Sequence, residues 1–176
     1  MATWNSRGLR GSTLEELVNL SNDIYREKKM ALVQKIPTPI TPVKFDKSKG
    51  KITEAFFEKD STVDYIGVCQ GVPICFDAKE CASDTFPLRN IHEHQLRFMR
   101  EFEDEDGISF LLIMFSARND FYYMRLSELE HYVNRVKEGH PANFKYEELD
   151  PDYFLHAMAG APVHYLEGLA LDLKGR

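Results

Sequence analysis

Positive charge is in short supply in this chain. Its 176 residues carry 22 Lys and Arg against 28 Asp and Glu, a net charge of −6 with His neutral. That balance argues against a protein coated in basic residues on every face. Cysteine is scarce and odd in number, with Cys69, Cys75 and Cys81 and no C-x-x-C pair. A disulfide framework or a cysteine zinc site is disfavoured, and reduced thiols in a cytoplasmic protein are expected. Long apolar runs are missing too. The longest, 108–115, falls far short of the roughly 20 residues of a membrane span. The opening M-A-T-W-N-S-R-G has no apolar signal-peptide core, so no membrane partner is expected. Internal repeats and low-complexity tracts are also absent.

What is present is an ordinary soluble balance, 43% hydrophobic and 28% charged. The length suits one domain over 1–176 with a real core. Charge is unevenly spread. Residues 26–59 hold nine Lys/Arg against four Asp/Glu, whereas 60–176 hold eleven against twenty-one. A polyanion could be met by the basic segment while the acidic remainder faces away.

The chain is organised around S-T-V-D-Y-I-G-V-C-Q-G-V-P-I-C-F-D-A-K, residues 61–79. Segments 62–69 and 72–79 read as two strands about a Gln70-Gly71 turn. A hairpin of that register places Asp64, Asp77 and Lys79 at the end away from the turn. Asp77 and Lys79, two apart, share a face. Two carboxylates and an ammonium suit metal-dependent phosphodiester hydrolysis: the acids hold Mg²⁺ and the lysine orients the attacking water or steadies charge on the phosphorane. The plainer alternative is an exposed hairpin with solvated charges.

Around it, 12–29 reads as a helix with a Ser12/Glu15 capping box. Glu15 is most simply a cap residue, or else a helix-borne acid near a metal. Arg10, just before it, reads as a surface arginine. Residues 30–34 read as a short buried strand. The proline-rich 35–43 cannot continue a helix or fill a central strand. With the returning segment 52–57 it makes a two-stranded projection over 35–57, lysine-rich near its tip (Lys44, Lys47, Lys49, Lys51), with Phe56 and Phe57 suited to stacking on bases or to core. A loop over 80–89 leads to a helix capped by Asn90 and Glu93, with Leu96, Met99 and Phe102 as its stripe and a glycine C-cap at Gly107. His92 and His94 match no zinc spacing. The run 108–115 reads as a strand buried on both faces, 121–126 as its hairpin partner, then a helix capped by Ser127 and Glu130, and a last helix over 165–173. The order predicts one α/β domain with a mixed central sheet flanked by helices.

Several stretches together resemble the RecU family of Holliday junction resolvases, in the PD-(D/E)xK nuclease superfamily. They are R-G-S-T-L-E-E (10–16), K-I-P-T-P-I (35–40), E-A-F-F (54–57), S-T-V-D-Y-I-G (61–67), F-D-A-K-E (76–80) and F-P-L-R-N-I-H-E-H-Q (86–95). They occur in family order over roughly 5–130. The resemblance implies a restriction-endonuclease-like fold whose 35–57 projection is a stalk entering the open centre of a four-way junction. It implies Mg²⁺, with Mn²⁺ able to substitute, on Thr62, Asp64, Asp77 and Gln95, and Lys79 as transition-state stabiliser. Arg10, Lys35, the stalk lysines and Phe57 match junction-binding positions. A homodimer is implied, with a recombinase as a further partner. The chain departs from the family pattern at position 77, where Asp stands for Glu. Two rival readings are a catalytically silent junction-binding or recombinase-regulating protein, and a nuclease for other branched or single-stranded DNA.

Overall fold

The structure is a computed structural model describing residues 13–57, 62–158 and 160–176. It opens with helix α1 (Thr13–Glu27), whose buried Leu14, Val18, Ser21, Asn22 and Tyr25 recur at three- and four-residue steps and form one inward stripe. Ser12, the expected cap, lies outside the described residues. The start of α1 is held by Glu80, whose Oε1 accepts the Leu14 N–H at 2.6 Å. An acid there satisfies an orphan donor at the positive end of the helix.

Five strands follow: β1 (Ala31–Lys35), β2 (Ile40–Asp46), β3 (Lys51–Phe57), β4 (Tyr65–Cys69) and β5 (Val72–Cys81). The strand expected from residue 62 starts at Tyr65, and its partner runs on to Cys81. Between them Gln70 (φ 49°) and Gly71 (φ 93°) both take left-handed backbone, the requirement of a two-residue turn matching strand twist. The segment expected to be a buried strand, 30–34, is shifted by one and sits at the sheet edge, where only Ala31 and Val33 are buried.

The expected loop over 80–89 is more ordered than its polar sequence suggested. It contains β6 (Thr85–Pro87) and a short 3₁₀ turn, Leu88–Asn90. Helix α2 (Glu93–Asp104) then begins from His92, not Asn90, and its capping partner is Gln95, not Glu93. At its end Asp106 takes the left-handed conformation (φ 61°) expected of Gly107. Gly107 is needed for room, since a Cβ there would lie 2.3 Å from the Phe102 ring. Strands β7 (Ile108–Phe115), buried throughout, and β8 (Asp120–Arg125) form the predicted hairpin. Helix α3 (Leu126–Lys137) starts one residue before Ser127, from Arg125 and without a side-chain cap. Two short strands, β9 (Asn143–Lys145) and β10 (Phe154–Leu155), precede helix α4 (Tyr165–Gly175).

The central sheet has six strands in the order β1-β4-β5-β7-β8-β10. Only the β5–β7 pair is parallel, joined by a crossover through α2, so the sheet is mixed and the fold is α/β. One face carries a file of stacked rings on four neighbouring strands. Tyr65 lies on Phe76 (4.7 Å between centroids), Phe76 on Phe110 (4.7 Å) and Phe110 on Tyr123 (4.3 Å), with Tyr165 of α4 tilted over the middle pair. Each ring pair adds roughly 0.5–1.5 kcal/mol beyond its buried area. Since Phe76 points to that face, alternation sends its neighbours Cys75 and Asp77 to the other, under α2. There Cys75 Sγ meets Ser109 Oγ at 3.3 Å, and Ser109 Oγ donates to the Met99 carbonyl at 2.8 Å.

β2 and β3 form a separate two-stranded sheet, as the proline-rich sequence predicted. None of their residues is buried. Ile40 faces Phe57 and Thr41 faces Phe56 across the ladder, with irregularities between Pro42 and Lys44 and between Lys44 and Phe45.

Candidate active site

The site is assembled where β4 begins beside the middle of β5. The register pairs Tyr65 with Phe76, which brings Asp64, one residue earlier, next to Asp77. Asp64 is fixed through its backbone and its side chain. Its carbonyl accepts the Ile36 N–H at 2.8 Å, and its Oδ2 accepts the Ala78 N–H at 3.0 Å. Asp77 is only 1% exposed, although it is ionisable. Its Oδ1 accepts a hydrogen bond from Gln95 Nε2 at 2.8 Å, and Gln95 Oε1 in turn accepts the His92 N–H at 3.2 Å. Asp77 Oδ2 is shut off from solvent. The Lys79 ammonium lies against it as an ion pair, its side chain 19% exposed.

Burial dominates the electrostatics here. It pushes the Asp77 carboxyl up, the Lys79 charge pulls it back, and the neighbouring Asp64 carboxylate pushes it up again, to about 7. The Tyr65 phenol is raised by burial first and then by the charges of Glu15, Asp64 and Asp77 in turn, so three acids surround that ring. Its oxygen sits 3.1 Å from Asn19 Oδ1 and 3.3 Å from the Glu15 carbonyl.

The structure therefore brings Asp64, Asp77, Lys79 and Gln95 into one contact group. Thr62 is half-buried, two residues ahead of Asp64. Glu15, on the first turn of α1, holds Lys35 in an ion pair (Oε2 to Nζ, 2.5 Å) beside this group; its expected capping partner, Ser12, lies outside the described residues. Lys44, Lys47, Lys49, Lys51 and Phe57 are exposed on the projection, apart from the acids. Lys44 pairs with Glu54 at 2.5 Å, and Lys49 lies 3.9 Å from Asp46. Arg10 lies outside the described residues.

Phe56 is 64% exposed and Phe57 74%. A two-stranded ribbon with uncovered aromatic and aliphatic side chains has little means of stability by itself, so such a surface is shaped for contact. Three residues of the site escaped the sequence reading. Glu80 and Tyr65 carried no local signal, because their partners lie 66 and 46 residues away. His92 did carry one: a glutamine three residues downstream, the spacing of a capping box.

A divalent cation suits the two acids. Among the described residues no group of three or more His, Cys, Asp or Glu could hold a metal, and a cation here would draw on these two carboxylates and neutral oxygens. Mg²⁺ is commonly held by one or two carboxylates and keeps several waters. A buried carboxylate crowded by a second acid, with the Lys79 ammonium offsetting only part of that charge, is an unfavourable arrangement that a divalent cation relieves.

The sequence profile of RecU, recombination protein U, matches residues 9–171. The chain belongs to the RecU family. The Holliday junction resolvase RecU of Leuconostoc mesenteroides is 48% identical over 126 residues, 69% of this chain and 62% of that protein. The Leuconostoc citreum resolvase RecU is 46% identical over 119 residues, 65% of this chain and 58% of that protein. The match to these two relatives thus spans about three-fifths of their length. The RecU of Levilactobacillus brevis is 38% identical over 173 residues, 96% of this chain and 86% of that protein. Among solved structures, Archaeoglobus fulgidus Hjc, a Holliday junction resolvase, gives a TM-score of 0.39 at 7% identity over 62% of this chain and 77% of that one, too slight to carry an argument.

Proposed function

We propose that this RecU chain is a divalent-metal-dependent endodeoxyribonuclease that resolves four-way DNA junctions, with Asp64 and Asp77 holding Mg²⁺ or, as a substitute, Mn²⁺, and Thr62 as a neutral oxygen donor. The observation that carries it is the convergence of two carboxylates and a lysine on one strand pair of a chain whose relatives are named resolvases. The bound cation would supply Lewis-acid activation of the attacking water and the phosphate. The protein's own residues do the rest. Asp64 is pinned by two backbone N–H groups, of Ile36 just past the end of β1 and of Ala78 in β5, so it is fixed from both neighbouring strands. Lys79, released from Asp77 when that carboxylate is otherwise engaged, offsets the negative charge that grows on the phosphate during in-line attack. A homodimer would place two such sites about a two-fold axis like that of the junction itself. A cytoplasmic setting agrees with three free cysteines, and no helix among the described residues is long and apolar enough to cross a membrane. A recombinase partner belongs to this reading as well.

Junction choice falls to the β2–β3 projection, through phosphate contacts from its lysines and stacking by Phe57. Since Ile40 and Phe57 face each other across the ladder, residues 41–56 can be replaced by an Asn-Gly turn without straining the base. The shortened chain is expected to cut nicked or linear duplex within about fivefold of the full chain while losing at least about tenfold of its preference for four-way junctions. A side-by-side Mg²⁺ cleavage assay on junction and duplex tests this, and an unchanged preference would remove the projection from the mechanism.

Glu15 competes with a phosphate for the charge of Lys35. Replacing Glu15 with Gln removes that competitor and is expected to tighten DNA binding about twofold to fivefold at low salt, the range of a partly exposed ion pair. Fluorescence anisotropy in Ca²⁺ measures it. Weaker binding would show that Glu15 positions Lys35 rather than restraining it.

A further inference from the structure

The resemblance to the family nominates Gln95 as a cation ligand, but the hydrogen bonds around its amide point to a different role. We propose that Gln95 is a positioning residue, clamped by the α2 cap so that its N–H group aims the Asp77 carboxylate, and that its side-chain oxygen does not ligate the cation. This rests on the reading that Asp64 and Asp77 hold the cation.

A glutamine amide has one accepting end and one donating end, and its two contacts fix which is which. Oε1 faces the backbone N–H of His92 at 3.2 Å, a group that can only donate. Nε2 faces Asp77 Oδ1 at 2.8 Å, an atom that accepts when the acid is ionised. Reversing the amide sets NH₂ against N–H and oxygen against carboxylate, losing both bonds. Swinging Oε1 toward a cation beside Asp77 forfeits both as well. Gln95 is 6% exposed and Asp77 1%, so water has little access to replace what is lost. The nitrogen that does face Asp77 carries hydrogens and offers no lone pair to a metal. The same geometry leaves Asp77 Oδ2, which faces the Lys79 ammonium rather than Gln95, as the oxygen that a cation would take over from Lys79.

The clamp can also be cut without touching Gln95 itself. His92 has φ −81°, and Ile91 before it is extended (φ −105°, ψ 117°), so both accept a proline at position 92. His92→Pro deletes the N–H that anchors Oε1 and leaves the amide free to turn. If Gln95 is a clamp, Mn²⁺ affinity measured by calorimetry falls about fivefold to tenfold, the loss of one buried hydrogen bond. If its oxygen is a ligand, freeing it leaves affinity unchanged or raises it, and the proposal is overturned.

The second measurement uses the unaltered ¹⁵N-labelled chain, so it does not depend on the variant folding. On saturation with Mg²⁺, the His92 amide is expected to keep its protection from exchange and the two Gln95 side-chain protons to stay well separated, while the Ala78 amide shifts. Loss of His92 protection in step with metal binding overturns the clamp. If Asp64→Asn leaves Mn²⁺ affinity intact, the metal assignment is at fault instead. The metal-free spectrum then decides the clamp alone: separated, slowly exchanging Gln95 protons uphold it, and an averaged pair refutes it.

Discussion

Replacing Lys79 with methionine is expected to slow metal-dependent junction cleavage about a hundredfold to a thousandfold, the usual cost of removing one group that stabilises transition-state charge. Junction binding in Ca²⁺ should stay within about threefold. The split follows from where the side chain sits. Lys79 is 19% exposed and spends its charge on Asp77, so it adds little to the long-range attraction for DNA. Methionine fills most of the lysine stem, and the neighbouring ladder from β5 to β7 is left alone. Asp77 then loses the cation beside it, so its carboxyl rises further and metal-free protein holds its proton more tightly. Excess Mg²⁺ should therefore recover metal binding but not the rate. Single-turnover cleavage across a Mg²⁺ series measures both. A variant restored to full speed at high Mg²⁺ would reduce Lys79 to a partner of Asp77 with no part in the chemistry.

The large pattern of the fold was readable because it rests on local regularities. The unbroken apolar run at 108–115 became a strand buried at every position, and the Gln70-Gly71 turn set the hairpin that brings Asp64 beside Asp77. Proline spacing alone set the projection apart from the sheet. Chain ends of elements were harder, since they depend on which of several polar residues wins a backbone donor. Asn90 and Glu93 have the spacing of a cap, yet His92 and Gln95 form it, because Gln95 can also reach a buried carboxylate 18 residues away. Glu15 pairs with Lys35, a strand residue twenty positions later that its own helix pattern could not announce. Glu80 reaches the start of α1 from across 66 residues of sequence. Spacing could nominate Asp64, Asp77 and Lys79, but the burial of Asp77, and hence its unusual acidity, is a property of the packed α2–β5 contact that no window of sequence contains.

That burial leads to the second large expectation: Asp77→Asn should raise the melting temperature of metal-free protein at pH 8 by on the order of 5 °C while removing cleavage. Asparagine keeps the shape and still offers an oxygen to Gln95 Nε2, but it needs no ionisation in a site that solvent barely reaches. Relief of about 1–3 kcal/mol is typical for a poorly satisfied buried polar group, and each kcal/mol moves a chain of this size about 2–4 °C. The sign with pH follows from linkage. The folded Asp77 carboxyl stands at about 7, above its ordinary 3.8, so the folded state binds the extra proton. Its contribution is complete below pH 3.8 and is lost as pH rises through 7. Glu128, raised by burial, acts in the same direction, whereas Asp84 and Glu148, lowered by hydrogen bonds from Arg118 and Arg135, act oppositely from exposed positions where solvent screens them. The difference between variant and unaltered chain cancels those groups. In EDTA the variant's advantage should therefore be smallest near pH 4 and grow toward pH 8. Saturating Mg²⁺ should reverse it, since only the native carboxylate gains from the cation. Melting curves at four pH values, with and without Mg²⁺, are enough to decide. A constant difference across pH would mean that the Asp77 charge is fully compensated by Lys79, and the raised carboxyl would have to be abandoned.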